Sequence, residues 1–326
     1  MKQLFREILI AGIFGLVIPV MVLHFGMRIS ENIVPEEAPL PVSTNPPAVL
    51  STLTIQVRTE DGTVQTMELD DYLVGVLLAE MPSSFEQEAK KAQIVVARTY
   101  AMRAMTEGGK HDDAAVCMES ACCQGFLSQS SYLEQGGNQS NISLLQRLVS
   151  ETDRQVLVYE GALIEATYFS CSGGLTEDAV AVWGKDVPYL KATESPGEEH
   201  AAHHTDQVSF SRGELESALD IVLGDSLEEW IGAITYTAGG GVKTMEIGGK
   251  TFSGTELRSR LDLRSTAFSV LPVGDSLAVT TRGFGHRVGM SQYGADAMAA
   301  TGSNYREILS HYYQGTTLVV YELESH

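Results

Sequence analysis

The sequence predicts an α+β fold of mixed helices and antiparallel strands, with an inserted second lobe and one transmembrane helix in front. Three observations lead there. Apolar and polar residues alternate on either side of Asp61-Gly62 and again around Glu160-Gly161, the pattern of hairpins. Two apolar or Ala-rich helical runs lie between Asp70 and Thr106, and no regular βαβ rhythm links them to the strands. A separate, almost unbroken apolar run extends from about Ile8 to Met27.

That run comes first in the chain. As a helix it spans about 28 Å, close to the hydrocarbon core of a bilayer. Lys2 and Arg6 precede it, and the tail before it is short, so the bulk of the chain is expected outside the cytoplasm. A cleaved signal peptide is the alternative, but no small-x-small cleavage site follows the run. Five of the ten prolines then fall in "ENIVPEEAPLPVSTNPPAV", which reads as an extended, semi-rigid spacer. The organisation is thus a cytoplasmic tail (1–7), an anchor (8–27), a spacer (28–49) and a folded domain (50–326).

Within the domain, "LSTLTIQVRTEDGTVQTMELDDY" is the first hairpin. A helix capped by Asp70 or Asp71 follows and stops at Glu80-Met81-Pro82. A second helix is expected to start at a capping box, Ser83 with Glu86 or Ser84 with Gln87, and to end at Glu107-Gly108-Gly109. Residues 110–137 read as loop. "RQVLVYEGALIEATYFSCSGG" reads as a strand pair, and about 205–270 as the inserted lobe, with helices over Ser211–Leu223 and Gly254–Asp262. A strand, a Gly-rich loop and a helix make up "LAVTTRGFGHRVGMSQYGADAMAATG", and a last helix runs from Ser303 to Tyr312.

The formal net charge of −20 over 326 residues argues against a nucleic-acid partner, which needs a basic face. Glu80 is the first candidate for chemistry. A carboxylate at a helix C-terminus faces the negative end of the macrodipole. That placement, among Leu77, Leu78 and Met81, would raise its pKa, as a general acid requires. The bland alternative is a surface Glu before a proline. Arg98 sits in the apolar run "AQIVVARTYA", where an arginine has a partner, lines a site or snorkels. His111, Cys117 and Cys123 are spaced six and six on one polar loop and suit zinc, with Cys122 able to replace Cys123. Outside the cytoplasm a disulfide from Cys117 is the rival. His200, His203 and His204 form a second possible metal cluster, more simply a solvated loop. In "FSCSGG", Ser172, Gly173 and Gly174 suit close backbone approach to a ligand. "GFGHRVGMSQYGA" brackets His286, Ser291 and Gln292 with glycines and can present amides to sugar hydroxyls; no G-K-[ST] makes it a phosphate loop.

The set "LDDYLVGVLLAEMPSSFEQEAKKAQIVVARTYA", "ATYFSCSGGLTED", "VPYLKATESPGEE", "LRSTAFSV" and "GFGHRVGMSQYGADAMAATGSNYREILSHYYQGTTL" resembles the SpoIID/LytB family over nearly all of the chain after the spacer. The resemblance implies a peptidoglycan lytic transglycosylase that cuts the β-1,4 bond between N-acetylmuramic acid and N-acetylglucosamine. It leaves 1,6-anhydro-muramyl ends and prefers strands stripped of stem peptides. It implies action in the mother-cell membrane during engulfment of the forespore, with the amidase and endopeptidase SpoIIP and the membrane protein SpoIIM as partners. Glu80 would be the catalytic acid. Arg98 and a Tyr-x-Lys pair, Tyr189 and Lys191, would support it, and His111, Cys117 and Cys123 would hold a zinc, read here as structural. The chain departs from the family's usual "GHGVGMSQ" loop at Arg287, where glycine is common. The remaining alternatives are a non-catalytic activator of a cell-wall amidase and a zinc-dependent hydrolase.

Overall fold

The computed structural model describes residues 53–322. The chain divides into two units, Met1–Leu50 and Ser51–His326. The expected tail, anchor and spacer therefore lie outside the described residues. Among the described residues no helix is long and apolar enough to cross a membrane.

The first hairpin pairs β1 (Thr54–Arg58) with β2 (Val64–Glu68), and Gly62 supplies the left-handed turn residue at φ +84°. Helix α1 (Leu69–Glu80) follows at once. Asp70 and Asp71 do not cap it; they lie in its first turn, where the positive end of the dipole favours acids. It stops where Met81, the residue before Pro82, turns extended (φ −115°, ψ 123°), because the proline ring disfavours a helical predecessor. Glu80 is thereby the last helical residue.

Helix α2 (Gln87–Glu107) is 21 residues long, about 31 Å. Neither serine caps it. Its N-cap is Glu86, whose N–H donates to Asp296 Oδ1 at 2.7 Å, and the buried Lys90 ammonium donates to the carbonyls of Ser83 (2.8 Å) and Phe85 (2.6 Å). A tertiary carboxylate and a buried amine thus replace the expected capping box. Small and aliphatic residues from Ala89 to Met102 bury nearly every side of α2, so it forms the axis of the main core.

The stretch expected as loop after α2 contains two short elements, β3 (Val116–Cys117), parallel to β1, and α3 (Gln129–Glu134). Next come α4 (Gln139–Glu151), β4 (Gln155–Tyr159), β5 (Ala162–Leu163), β6 (Tyr168–Phe169) and α5 (Ala179–Trp183). The β4–β5 turn is the predicted Glu160-Gly161, both at positive φ.

The second lobe runs through β7 (Thr205–Ser211), α6 (Arg212–Leu219), β8 (Ile231–Tyr236), β9 (Val242–Ile247), β10 (Lys250–Ser253), α7 (Gly254–Arg260), β11 (Phe268–Val273) and β12 (Ser276–Arg282). It extends to Arg282 rather than stopping near 270, because β12 is the central strand between β7 and β11. It has its own core, including Leu215, Trp230, Met245, Phe252, Leu257 and Leu277. The chain then returns to the main core through β13 (Met290–Ser291), parallel to β6, α8 (Gln292–Ala300), α9 (Tyr305–Tyr312) and β14 (Thr317–Val320), which pairs with β4.

Candidate active site and metal centre

Glu80 is half-buried at the C-terminus of α1, with Leu77, Leu78 and Met81 packed away around it. Its Oε1 accepts the N–H of Gly125 at 2.7 Å. A Cβ on residue 125 would stand 2.8 Å from that oxygen, so any larger residue would displace the carboxylate. Gln292 Nε2 donates to the Glu80 carbonyl at 3.2 Å, tying the first residue of α8 to the last residue of α1. Tyr168 lies near enough to feel the same carboxylate. Its phenol pKa is pushed well above the ordinary value, first by burial and then by the Glu80 charge. Gln124 links this phenol (3.4 Å) to that of Tyr72 (3.1 Å). A cleft of about 330 Å³ opens beside Glu80, lined also by Leu78, Pro82, Ser83, Tyr132 and Asn141, and Glu80 is the one carboxylate among these lining residues.

His111, Cys117, Cys122 and Cys123 bring one donor atom each to within 4.8 Å of one another. Measured separations are 3.7 Å from His111 Nε2 to Cys122 Sγ, 3.6 Å to Cys123 Sγ, and 3.9 Å between the two sulfurs. A zinc tetrahedron with bonds of about 2.3 Å to sulfur has edges of about 3.8 Å, so the donor set fits that ion. Cys122 joins the set instead of substituting for Cys123. All four cysteines of the chain are free thiols, and the two neighbouring sulfurs are far beyond bonding distance. The same loop then delivers Gly125 to Glu80, two residues after Cys123. Among the described residues no second metal cluster forms: His203 pairs with Asp206 at 3.0 Å, and His200 Nδ1 meets the Gly197 carbonyl at 3.0 Å.

Several residues expected near the carboxylate are used elsewhere. Arg98 is 2% exposed and spends its guanidinium on the carbonyls of Val149 (3.2 Å), Thr152 (2.8 Å) and Gln155 (3.3 Å). It caps the C-terminus of α4, and burial pulls its pKa down to about 10. Its charged neighbours are Asp70 and Asp153, and Asp70 precedes Glu80 by ten residues of helix, about 15 Å. These contacts give Arg98 a structural role, and none of them reaches Glu80. Arg98→Met should cost about 3 kcal/mol in urea unfolding, since it leaves buried carbonyls unpaired, with turnover per folded molecule unchanged. A tenfold fall in turnover of a fully folded variant would return Arg98 to the site. Tyr189 accepts the Glu165 N–H at 3.0 Å and packs its ring against Tyr159, while Lys191 pairs with Asp186. None of these contacts reaches Glu80.

The "FSCSGG" loop binds a protein carboxylate. Glu198, 1% exposed, has its Oε2 held by Ser172 N–H (2.8 Å), Ser172 Oγ (2.8 Å) and Gly173 N–H (2.9 Å), and its Oε1 by Ser195 Oγ (2.6 Å). Gly174 N–H donates to Ser172 Oγ at 2.9 Å, so the three candidates form a nest around an internal anion. Gly283 presses against this loop: a Cβ there would lie 2.6 Å from the Ser172 carbonyl oxygen. Ser291 caps α8 by accepting the Gly294 N–H at 3.2 Å. His286 accepts the Val288 N–H on Nδ1 at 3.1 Å, and burial, with Arg258 nearby, drops its pKa to about 4, so it is neutral near pH 7.

The family model "SpoIID: Stage II sporulation protein" matches residues 57–159, the span from the first hairpin to β4 that carries both Glu80 and the four metal-type donors. The chain is 36% identical over 266 residues to stage II sporulation protein D of Bacillus subtilis (strain 168), covering 80% of this chain and 77% of that protein. The chain belongs to the SpoIID family. The Bacillus amyloliquefaciens protein of the same name matches at the same 36% identity over 266 residues. An amidase enhancer of Bacillus subtilis (strain 168) is 29% identical over 76% of this chain and 40% of its own length.

Arg287, the departure from the usual family loop, has a physical account. Its φ is +66°, a conformation natural to glycine. The side chain compensates by joining the lobes. Nε donates to the Ser172 carbonyl (2.9 Å) and Nη2 to those of Leu175 (2.5 Å) and Gly239 (2.8 Å), while Nη1 faces the buried Glu177 carboxylate at 3.9 Å. Arg287→Gly would relieve the backbone but take the donors from the Ser172, Leu175 and Gly239 carbonyls and the cation from beside Glu177, which keeps its bonds from Thr237 Oγ1 and the N–H groups of Asp178 and Gly239. A net loss of about 3 kcal/mol is expected in denaturant unfolding, and a stabilised variant would show that the strain outweighs the pairing.

Proposed function

We propose that this SpoIID-family chain is a peptidoglycan lytic transglycosylase acting in sporulation, with Glu80 as its single acid and base. The observation that supports this reading is the lone half-buried carboxylate in a sugar-sized cleft. Glycosidases that use water need two carboxylates, one of which activates the water or attacks the sugar. One carboxylate suffices when the substrate brings its own nucleophile. Gly125 occupies Oε1, which leaves Oε2 to carry the proton. Glu80 gives that proton to the leaving O4 of N-acetylglucosamine as the bond to muramyl C1 breaks. The carboxylate then takes the proton of the muramyl 6-hydroxyl as O6 closes on C1. No water is consumed, and Glu80 ends protonated as it began.

The His111, Cys117, Cys122 and Cys123 set would hold zinc through four protein donors. A zinc ion there would tie the loop to itself and to β1. Four donors leave no position for a reacting water, which supports a structural ion and speaks against the zinc-hydrolase reading.

The wider setting is part of the same proposal: a single-pass anchor at residues 8–27, the catalytic domain outside the cytoplasm on the mother-cell side of the septum, and SpoIIP and SpoIIM as partners. The relative named an amidase enhancer supports association with a cell-wall amidase and keeps a second reading in view, a non-catalytic activator. The test is to incubate the chain with peptide-free glycan strands and weigh the products. Ends lighter by one water than hydrolysis products are expected. Hydrated reducing ends would refute the transglycosylase, and no product with full amidase activation would favour the activator.

A further inference from the structure

Two polar residues of the cleft beside Glu80 take no part in the acid–base chemistry: Tyr132 on α3 and Asn141 in the first turn of α4. Both are held in place by structure around them. The run after the metal loop fastens onto α1, with Gly125 N–H on Glu80, the Phe126 ring against Gly75, and Leu127 N–H on the Gly75 carbonyl at 3.0 Å. Ser128 then caps α3 and so sets the helix that carries Tyr132. The Tyr132 ring packs on the main core and lies flush against Gly137, where a Cβ would fall 2.3 Å from a ring carbon. Asn141 is placed through its backbone N–H, which donates to Asn138 Oδ1, the N-cap of α4, at 2.8 Å.

Phenylalanine would pack as well, so the hydroxyl needs a reason of its own. Asn141 Nδ2 donates to the Tyr132 phenol oxygen at 3.1 Å. A phenol has one hydrogen to give and accepts on its oxygen. With the amide on that oxygen the hydrogen is left for another acceptor, and among the described residues it has none. The amide also strengthens this donor, because linked hydrogen bonds polarise one another. The same lining offers apolar surface from Leu78, Met81 and Pro82 and holds no cation. A ligand group that suits all three features is neutral and carries a strong acceptor next to a methyl. On an aminosugar strand the 2-acetamido group has both. A sugar hydroxyl lacks the methyl, and a carboxylate would face Glu80 with nothing to offset its charge.

We propose that Tyr132 donates to the acetyl oxygen of the N-acetylated sugar seated beside Glu80, and that Asn141 positions Tyr132 for that bond. This inference rests on the glycan reading above. It makes Tyr132 a specificity-determining residue, selective for strands that keep their acetyl groups. A fixed acetamido group also fixes the sugar ring relative to the Glu80 proton, which is what a positioned proton transfer needs.

The experiment uses the full-length chain in detergent micelles, with Glu80→Gln to prevent cutting. Peptide-free glycan strands of one length are de-N-acetylated, then re-acylated as N-acetyl or as N-thioacetyl. The thioacetyl group is uncharged and nearly the same shape, but its sulfur is a poorer acceptor. The N-acetyl strand should bind about fivefold tighter. Tyr132→Phe keeps the packed ring, so its melting midpoint should match the parent's while the affinity ratio falls to about one. Asn141→Leu should lower the ratio while the phenol is present and leave it at about one when combined with Tyr132→Phe, because a positioning residue acts only through the phenol. A ratio untouched by Asn141→Leu would remove the positioning role. Equal binding of the two strands by the parent, or a ratio that survives Tyr132→Phe, would overturn the assignment and leave the glycan reading standing. Failure of both strands to bind would overturn both.

Discussion

Glu80→Gln is expected to lower the release of anhydro-ended fragments by about a thousandfold or more, because one group performs both proton transfers. The amide keeps the size and the hydrogen bond from Gly125 but can neither give nor take the proton. Affinity for uncut strands should change little. The measurement is single-turnover cleavage of peptide-free strands, followed by mass spectrometry, with binding measured in parallel. A residual rate within tenfold of the parent would sink the assignment of Glu80, since no other carboxylate lines its cleft. Gly125→Ala is the companion variant. Its Cβ would crowd the Glu80 carboxylate at 2.8 Å, so it should lower turnover while Glu80 itself is intact.

Removing the metal should produce the second large effect. Loss of an ion held by His111, Cys117, Cys122 and Cys123 loosens a loop that is otherwise held at its ends, by the two-residue strand β3 and the Arg58–Asp113 pair on one side and by the bonds of Gln124 and Gly125 on the other. Dialysis against a chelator, or Cys117→Ser, should lower stability by about 3 kcal/mol and the melting midpoint by on the order of 10 °C. Cys117 is 4% exposed and pairs with Arg58 on β1, so its loss is felt in the sheet as well as at the ion. Turnover should fall too, because Gly125 follows Cys123 by two residues and loses its fixed place on Glu80. Calorimetry with and without restored zinc separates the two effects. Demonstrated release of metal with an unchanged midpoint would refute the structural role. Loss of turnover at an unchanged midpoint would mean that the ion takes part in the chemistry.

Much of the local structure was legible in the chain. Asp61-Gly62 and Glu160-Gly161 announced hairpins because turn residues at positive φ are few in kind. Met81-Pro82 announced the end of α1, and with it the odd placement of Glu80, because proline restricts its predecessor through purely local sterics. The His and Cys spacing announced a metal-type loop, although spacing offers Cys122 only as an alternative to Cys123, and the fold brings all four donors together. A glycine following the paired cysteines was the one available sign of the close approach at Gly125.

What spacing could not reveal were contacts between distant segments. Arg98 in an apolar run had to find a partner, but only packing could choose between a substrate and the carbonyls 51 to 57 residues onward. Ser172, Gly173 and Gly174 offered donors to an anion, and tertiary structure made that anion Glu198. The pairing of β13 with β6, more than a hundred residues apart, set Gln292 and Tyr168 around Glu80. The sequence alone determined the turns, the end of α1 and the placement of Glu80 there, since these depend on the sterics and charge of neighbouring residues. The tertiary structure decided which donors meet which acceptors, because a buried polar group takes whatever partner the packed core brings within reach.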